Sequence, residues 1–125
     1  MARIMVIDED RAFLDLMMAL LDDQEREIET ADERFVTVEQ IREVSPDLVV
    51  LDLRGHDMAS RNLLLALKDD ASTESIPVIA CTAVPSEMTD LDAWLRRHGV
   101  TVLPKPFDID AMASLATQML DRKCA

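Results

Sequence analysis

Four apolar runs of this 125-residue chain end at polar groups that can do chemistry. The stretch "IMVIDED" delivers Asp8, Glu9 and Asp10, "PDLVVLDL" delivers Asp52, "PVIACTA" delivers Thr82, and "VLPKPF" delivers Lys105. Taken singly, each has an ordinary reading: Asp10 as a helix cap, Thr82 as a strand-end residue, Lys105 as a solvated loop charge. If the fold gathers them, the chemistry changes. Carboxylates converging on one pocket repel each other and raise at least one pKa, and a hard divalent cation relieves that repulsion. Mg²⁺ characteristically takes one or two carboxylates and keeps open positions for phosphate oxygens. Acids, one amine and one hydroxyl then suit phosphoryl transfer, with Asp52 as nucleophile, Lys105 and Mg²⁺ neutralising the phosphoryl oxygens and Thr82 hydrogen-bonding one of them.

The elements needed to gather these groups can be read from the pattern. "RIMVI" (3–7), "LVVL" (48–51), "PVIACT" (77–82) and "VTVL" (100–103) read as buried strands, and "EIETA" (27–31) as a fifth. Phe13, Leu16, Met17, Leu20 and Leu21 form a helical stripe, as do Ile109, Met112, Ala113, Ala116, Met119 and Leu120, with Asp108 as the expected N-cap. Val38 and Ile41, then Leu63, Leu64 and Leu67, then Met88, Leu91 and Leu95 mark three further helices. Five strands alternating with five helices predict an α/β, three-layer α/β/α sandwich around a parallel sheet. Ligands of such sheets bind at the carboxyl ends of the strands, where the four polar groups fall.

Composition narrows the function classes. Twenty-five acidic residues against thirteen basic ones give a net charge of −12, which argues against direct nucleic-acid binding. The apolar run near residue 1 is too short for a signal peptide or a membrane span, so no membrane partner and a cytoplasmic location are expected. Cys81 and Cys124 read as free thiols. With two glycines, Gly55 and Gly99, neither GxGxxG nor a Walker loop is available. The acid that aspartate-nucleophile phosphohydrolases place two residues after the nucleophile is Arg54 here, and His56 and His98 read as surface residues.

The ordered set "VIDED", "PDLVVLDL", "PVIACTA" and "VLPKPF" resembles the receiver domain of bacterial two-component response regulators, a CheY-like, flavodoxin-like fold, over essentially the whole chain, 1–125. The resemblance implies strand order 2-1-3-4-5 and a cis peptide at Lys105–Pro106. It implies Asp52 as phosphoacceptor, Lys105 and Thr82 as its catalytic partners, and Mg²⁺ held by Asp8, Glu9, Asp52 and the backbone carbonyl of Arg54. Such a domain catalyses its own phosphotransfer and is not a free-standing enzyme. Its partners would be a sensor histidine kinase or phosphotransfer protein, and a downstream protein on the face of the fourth helix, fifth strand and fifth helix. Leu91, Trp94 and Leu95 are candidates for a partner or homodimer surface there, core packing being the preferred reading of the two leucines. The chain departs from the family pattern at Glu9, where Asp is usual, at Val102 in place of the switch aromatic, and in "RGHDMAS" after Asp52. Arg54 and Val84 occupy positions that tune phosphoryl lifetime. The alternative reading is a pseudo-receiver that binds partners without phosphorylation.

Overall fold

The computed structural model describes residues 2–23, 25–53 and 58–124. In chain order its elements are β1 (Ala2–Asp8), α1 (Arg11–Leu21), β2 (Arg26–Asp32), α2 (Val38–Val44), β3 (Leu48–Asp52), α3 (Met58–Asp69), β4 (Val78–Thr82), α4 (Asp92–Arg97), β5 (Val100–Pro104) and α5 (Ile109–Cys124). The strands form one parallel sheet of order β2-β1-β3-β4-β5, as expected. Every position of β3 and β4 is buried, as interior strands covered on both faces require, whereas the polar β2 is largely half-exposed at one edge. Among the described residues no helix is long and apolar enough to cross a membrane.

The two-residue period of the strands divides the core into two layers. Ile4 and Val6, Leu48 and Val50, and Ile79 and Cys81 face α1 and α5, packing on Met17, Leu21, Met112 and Ala116. Met5 and Ile7, Val49 and Leu51, and Val78 and Ala80 face the other way, onto Ile41, Leu64, Leu67 and Leu95. By the same parity Asp8 and Asp52 follow the first set and Thr82 the second. Parity therefore fixes which layer each strand-end group overlooks.

Local signals begin and end the helices. Asp10 caps α1 by accepting from the N–H groups of Ala12 and Phe13. Thr37 and Gln40 form a reciprocal capping box at α2, and the Asp108 carboxylate accepts from the Asp110 N–H at the start of α5, as predicted. Gly99, at φ +70°, turns the chain out of α4 into β5. Lys68 is nearly buried at the end of α3, donating to the carbonyls of Glu74 (3.1 Å) and Ile76 (2.6 Å), which ties α3 to the entry of β4.

Three expectations are corrected. The buried face of α1 is Leu14, Met17 and Leu21, while Leu16 is 46% exposed: the helix is rotated toward Leu14 because it closes over both the sheet and α5. Ile109 is likewise 44% exposed, being the first residue of α5 and not yet over the sheet. The fourth helix is a short α4 preceded by a 3₁₀ segment, Pro85–Leu91, with Pro85 at its first turn. Leu95 is buried there, so core packing accounts for it, with Leu91 and Trp94 half-buried against the same layer. The side chains of Met88 and Cys124 lie outside the described set, and Cys81 is a buried free thiol whose pKa burial pushes up to about 12.

Candidate functional site

Asp8 and Asp52 end neighbouring strands, each one residue beyond the paired Ile7 and Leu51. Lys105 lies one residue beyond β5, held by its N–H to the Thr82 carbonyl at 2.7 Å, and the Lys105–Pro106 peptide is cis, as the resemblance implied. Its ammonium donates to Asp52 Oδ1 at 2.9 Å and lies 3.6 Å from Asp8 Oδ2. Three of the charged groups singled out from the sequence therefore meet at one point. Asp8 and Asp52 are nearly buried and Lys105 is half-buried.

The electrostatics of this cluster are unbalanced. Burial raises the Asp8 pKa and the Asp52 charge adds to it, against the lowering effects of the Asp10 N–H and of Lys105. Burial alone would lower the Lys105 pKa, but the hydrogen bond and charge of Asp52, helped by Asp8, hold it above the ordinary lysine value. One ammonium thus serves two carboxylates. Asp8 Oδ2 is buried and, among the described residues, accepts no hydrogen bond. A buried carboxylate oxygen left in this way suits a hard cation. No group of three or more His, Cys, Asp or Glu side chains gathers as a metal cluster among the described residues; Asp8 and Asp52 are the carboxylates that meet at Lys105.

The remaining expected residues surround this core. The Thr82 side chain is buried on the opposite parity, its Oγ1 accepting from the Val84 N–H at 3.2 Å, and Val84 is 43% exposed at the rim. Val102, like Leu91 and Trp94, packs on the core layer that Thr82 overlooks. Arg54 and His56, with the rest of 54–57, lie outside the described residues. His98 is half-buried, not a free surface residue: its ring stacks on Trp94 at 4.3 Å and its Nδ1 lies 2.8 Å from the Trp94 carbonyl oxygen.

Two groups at the site carried no signal that spacing alone could read. Phe13 presents its ring face to the Lys105 ammonium, 4.6 Å from the ring centroid, and Phe107 meets Phe13 edge-on at 6.1 Å. Arg34, after β2, pairs with Asp32 through two hydrogen bonds and feels the charge of Glu9; the Arg34 pair lowers the Asp32 pKa to about 2. The first joins α1 to the segment after β5, residues far apart in the chain, which a linear reading does not contain.

A five-stranded parallel α/β sheet whose carboxyl edge brings one amine to two carboxylates defines the class of domain. Residues 4–117 match the response regulator receiver domain family, and the chain belongs to that family. It is 31% identical to the response regulator PleD of Caulobacter vibrioides over 97% of this chain and 26% of PleD, and 28% identical to protein PilH of Pseudomonas aeruginosa over 96% of this chain and 98% of PilH. The chain spans half or less of the length of the first curated relatives it matches. Its fold is similar to the signal receiver domain of a putative Luxo repressor protein from Vibrio parahaemolyticus, with a TM-score of 0.80, 23% identity and coverage of 98% of this chain and 92% of that one. The chain thus carries the receiver domain of response regulators over residues 4–117.

Proposed function

We propose that residues 1–125 act as a single receiver domain whose phosphoacceptor is Asp52. The observation that carries this reading is the Lys105 ammonium 2.9 Å from Asp52 Oδ1 with Asp8 beside it. An Asp52 carboxylate oxygen attacks the donor phosphorus, forming an acyl phosphate while the bond from phosphorus to the donor's leaving group breaks. Lys105 moves with the charge from the carboxylate to the new phosphoryl oxygens, and the Thr82 hydroxyl, whose Oγ1 accepts from the Val84 N–H, donates its own O–H to one of them.

Asp8, Asp52, Glu9 and the backbone carbonyl of Arg54 would hold Mg²⁺, which supplies charge neutralisation for the phosphoryl group. Arg54 and Val84 tune access of water to the acyl phosphate, and Val102 replaces the switch aromatic. The donor is a sensor histidine kinase or a phosphotransfer protein in the cytoplasm. A downstream protein, or a second copy of this chain, reads the face of α4, β5 and α5.

The test is to incubate the protein with acetyl phosphate and Mg²⁺ and then reduce it with borohydride, which converts an aspartyl phosphate to homoserine. Homoserine at position 52 in the mapped peptides supports the assignment. Homoserine at position 8, or none, overturns it.

A further inference from the structure

The Lys105 ammonium has three donors, and Asp52 takes one at hydrogen-bond distance while Asp8, at 3.6 Å, is too distant for a good bond. The third neighbour is apolar. The centroid of the Phe13 ring lies 4.6 Å from Nζ, and Phe107 braces that ring edge-on at an interplanar angle of 77°. Parity explains the meeting: α1 and the start of α5 cover the layer that Asp8 and Asp52 overlook, and both Phe13 and Phe107 pack on that layer. Asp10, the acid next to this groove, turns its Oδ1 to the N–H groups that begin α1, and the ion pairs of the amine are with Asp8 and Asp52.

We infer that Phe13 is a positioning residue of the site, its ring face holding the Lys105 ammonium beside Asp52. A ring face attracts a cation but offers no lone pair that rivals a carboxylate or a phosphoryl oxygen. The amine is therefore retained at the site while its strong hydrogen bond stays transferable. An aliphatic residue at 13 would fill the space and repel water without holding the charge. This role rests on the phosphoacceptor reading, since it gives Lys105 its task.

Two measurements separate the two claims. A double-mutant cycle with Phe13→Leu and Lys105→Met, read by denaturant unfolding without metal or phosphodonor, should show a coupling of about threefold to tenfold in the folding equilibrium constant. Independent, additive effects overturn the inference, whatever the protein does with phosphate. With acetyl phosphate and Mg²⁺, Phe13→Leu should form the adduct about threefold to tenfold more slowly, and Phe13→Tyr, which keeps the ring beside an open groove, should restore the rate. Equal rates in the Leu and Tyr variants overturn it as well. A wild-type protein that takes no phosphoryl group overturns the phosphoacceptor reading, while the coupling alone then decides the contact.

Discussion

Asp8 is the residue on which the electrostatics of the site turn. It is buried, its second oxygen accepts no hydrogen bond among the described residues, and the charge of Asp52 acts against it. Burying a carboxylate with partial compensation costs stability, and removing the charge should recover some of it. Asp8→Asn is predicted to raise the melting temperature of the metal-free protein by about 4 °C, corresponding to roughly 1 kcal/mol in a domain of this size. The same variant should lose the rise that millimolar Mg²⁺ gives the wild type by mass action. A lower metal-free melting temperature would show that Asp8 is satisfied where it sits. At this scale the sequence was informative where chemistry restricts residue type: Asp8, Asp52, Thr82 and Lys105 were all visible as polar ends of apolar runs. Phe13 was not, because a phenylalanine in an apolar stripe looks the same whether it faces a leucine or an ammonium.

The elements carry their own tests. If α1 packs through Leu14, Met17 and Leu21, Met17→Ala should cost about 2–5 kcal/mol and Leu16→Ala less than about 0.5 kcal/mol, measured by denaturant unfolding. Comparable losses at both positions would restore the stripe read from spacing. Phe13, Met17, Leu20 and Leu21 of that stripe do pack on the core, but Leu14 and Leu16, about 200° apart around the helix, cannot both face inward, and the packing takes Leu14. The fourth helix was misread for a related reason. Leu91 and Leu95 keep helical spacing, but Pro85 and the 3₁₀ segment leave only Asp92–Arg97 as α-helix. Strands were read more faithfully, since runs such as Leu48–Leu51 are buried on both sides and do not depend on phase.

The junction of α3 and β4 gives a pH test. Burial lowers the Lys68 pKa to about 8, below the roughly 10.4 of an exposed lysine. Between those values the unfolded chain binds more protons than the folded one, so this group makes stability rise with pH across about pH 8–10.4. The buried Cys81 thiol, pushed up to about 12, acts in the opposite direction above its unfolded value of about 8.5. Relative to wild type, Lys68→Met should therefore show a steeper fall in stability through that window, measured by urea midpoints at successive pH values. Parallel pH profiles would mean that the amine is not desolvated.

On the scale of the whole molecule, the net charge of −12 concentrates repulsion that folding has to overcome. Raising NaCl from about 20 to about 200 mM should raise the melting temperature, because screening shortens the reach of like charges. The sheet answers the same problem at its carboxyl edge by bringing one amine to two carboxylates, and two core layers fix the strands that carry them. The layers and the site edge were legible from alternation and spacing, and the strand order from the family resemblance. The depth of the pocket and the partner of its amine were not, because both depend on which face each strand end turns toward.

The central claim is that Asp52 accepts a phosphoryl group, and intact-mass spectrometry after incubation with acetyl phosphate tests it most directly. The account predicts one phosphoryl adduct in the wild type with Mg²⁺, none when the metal is chelated, and none in Asp52→Asn. An adduct that persists in Asp52→Asn, or a wild type that remains unmodified with Mg²⁺ present, would contradict it.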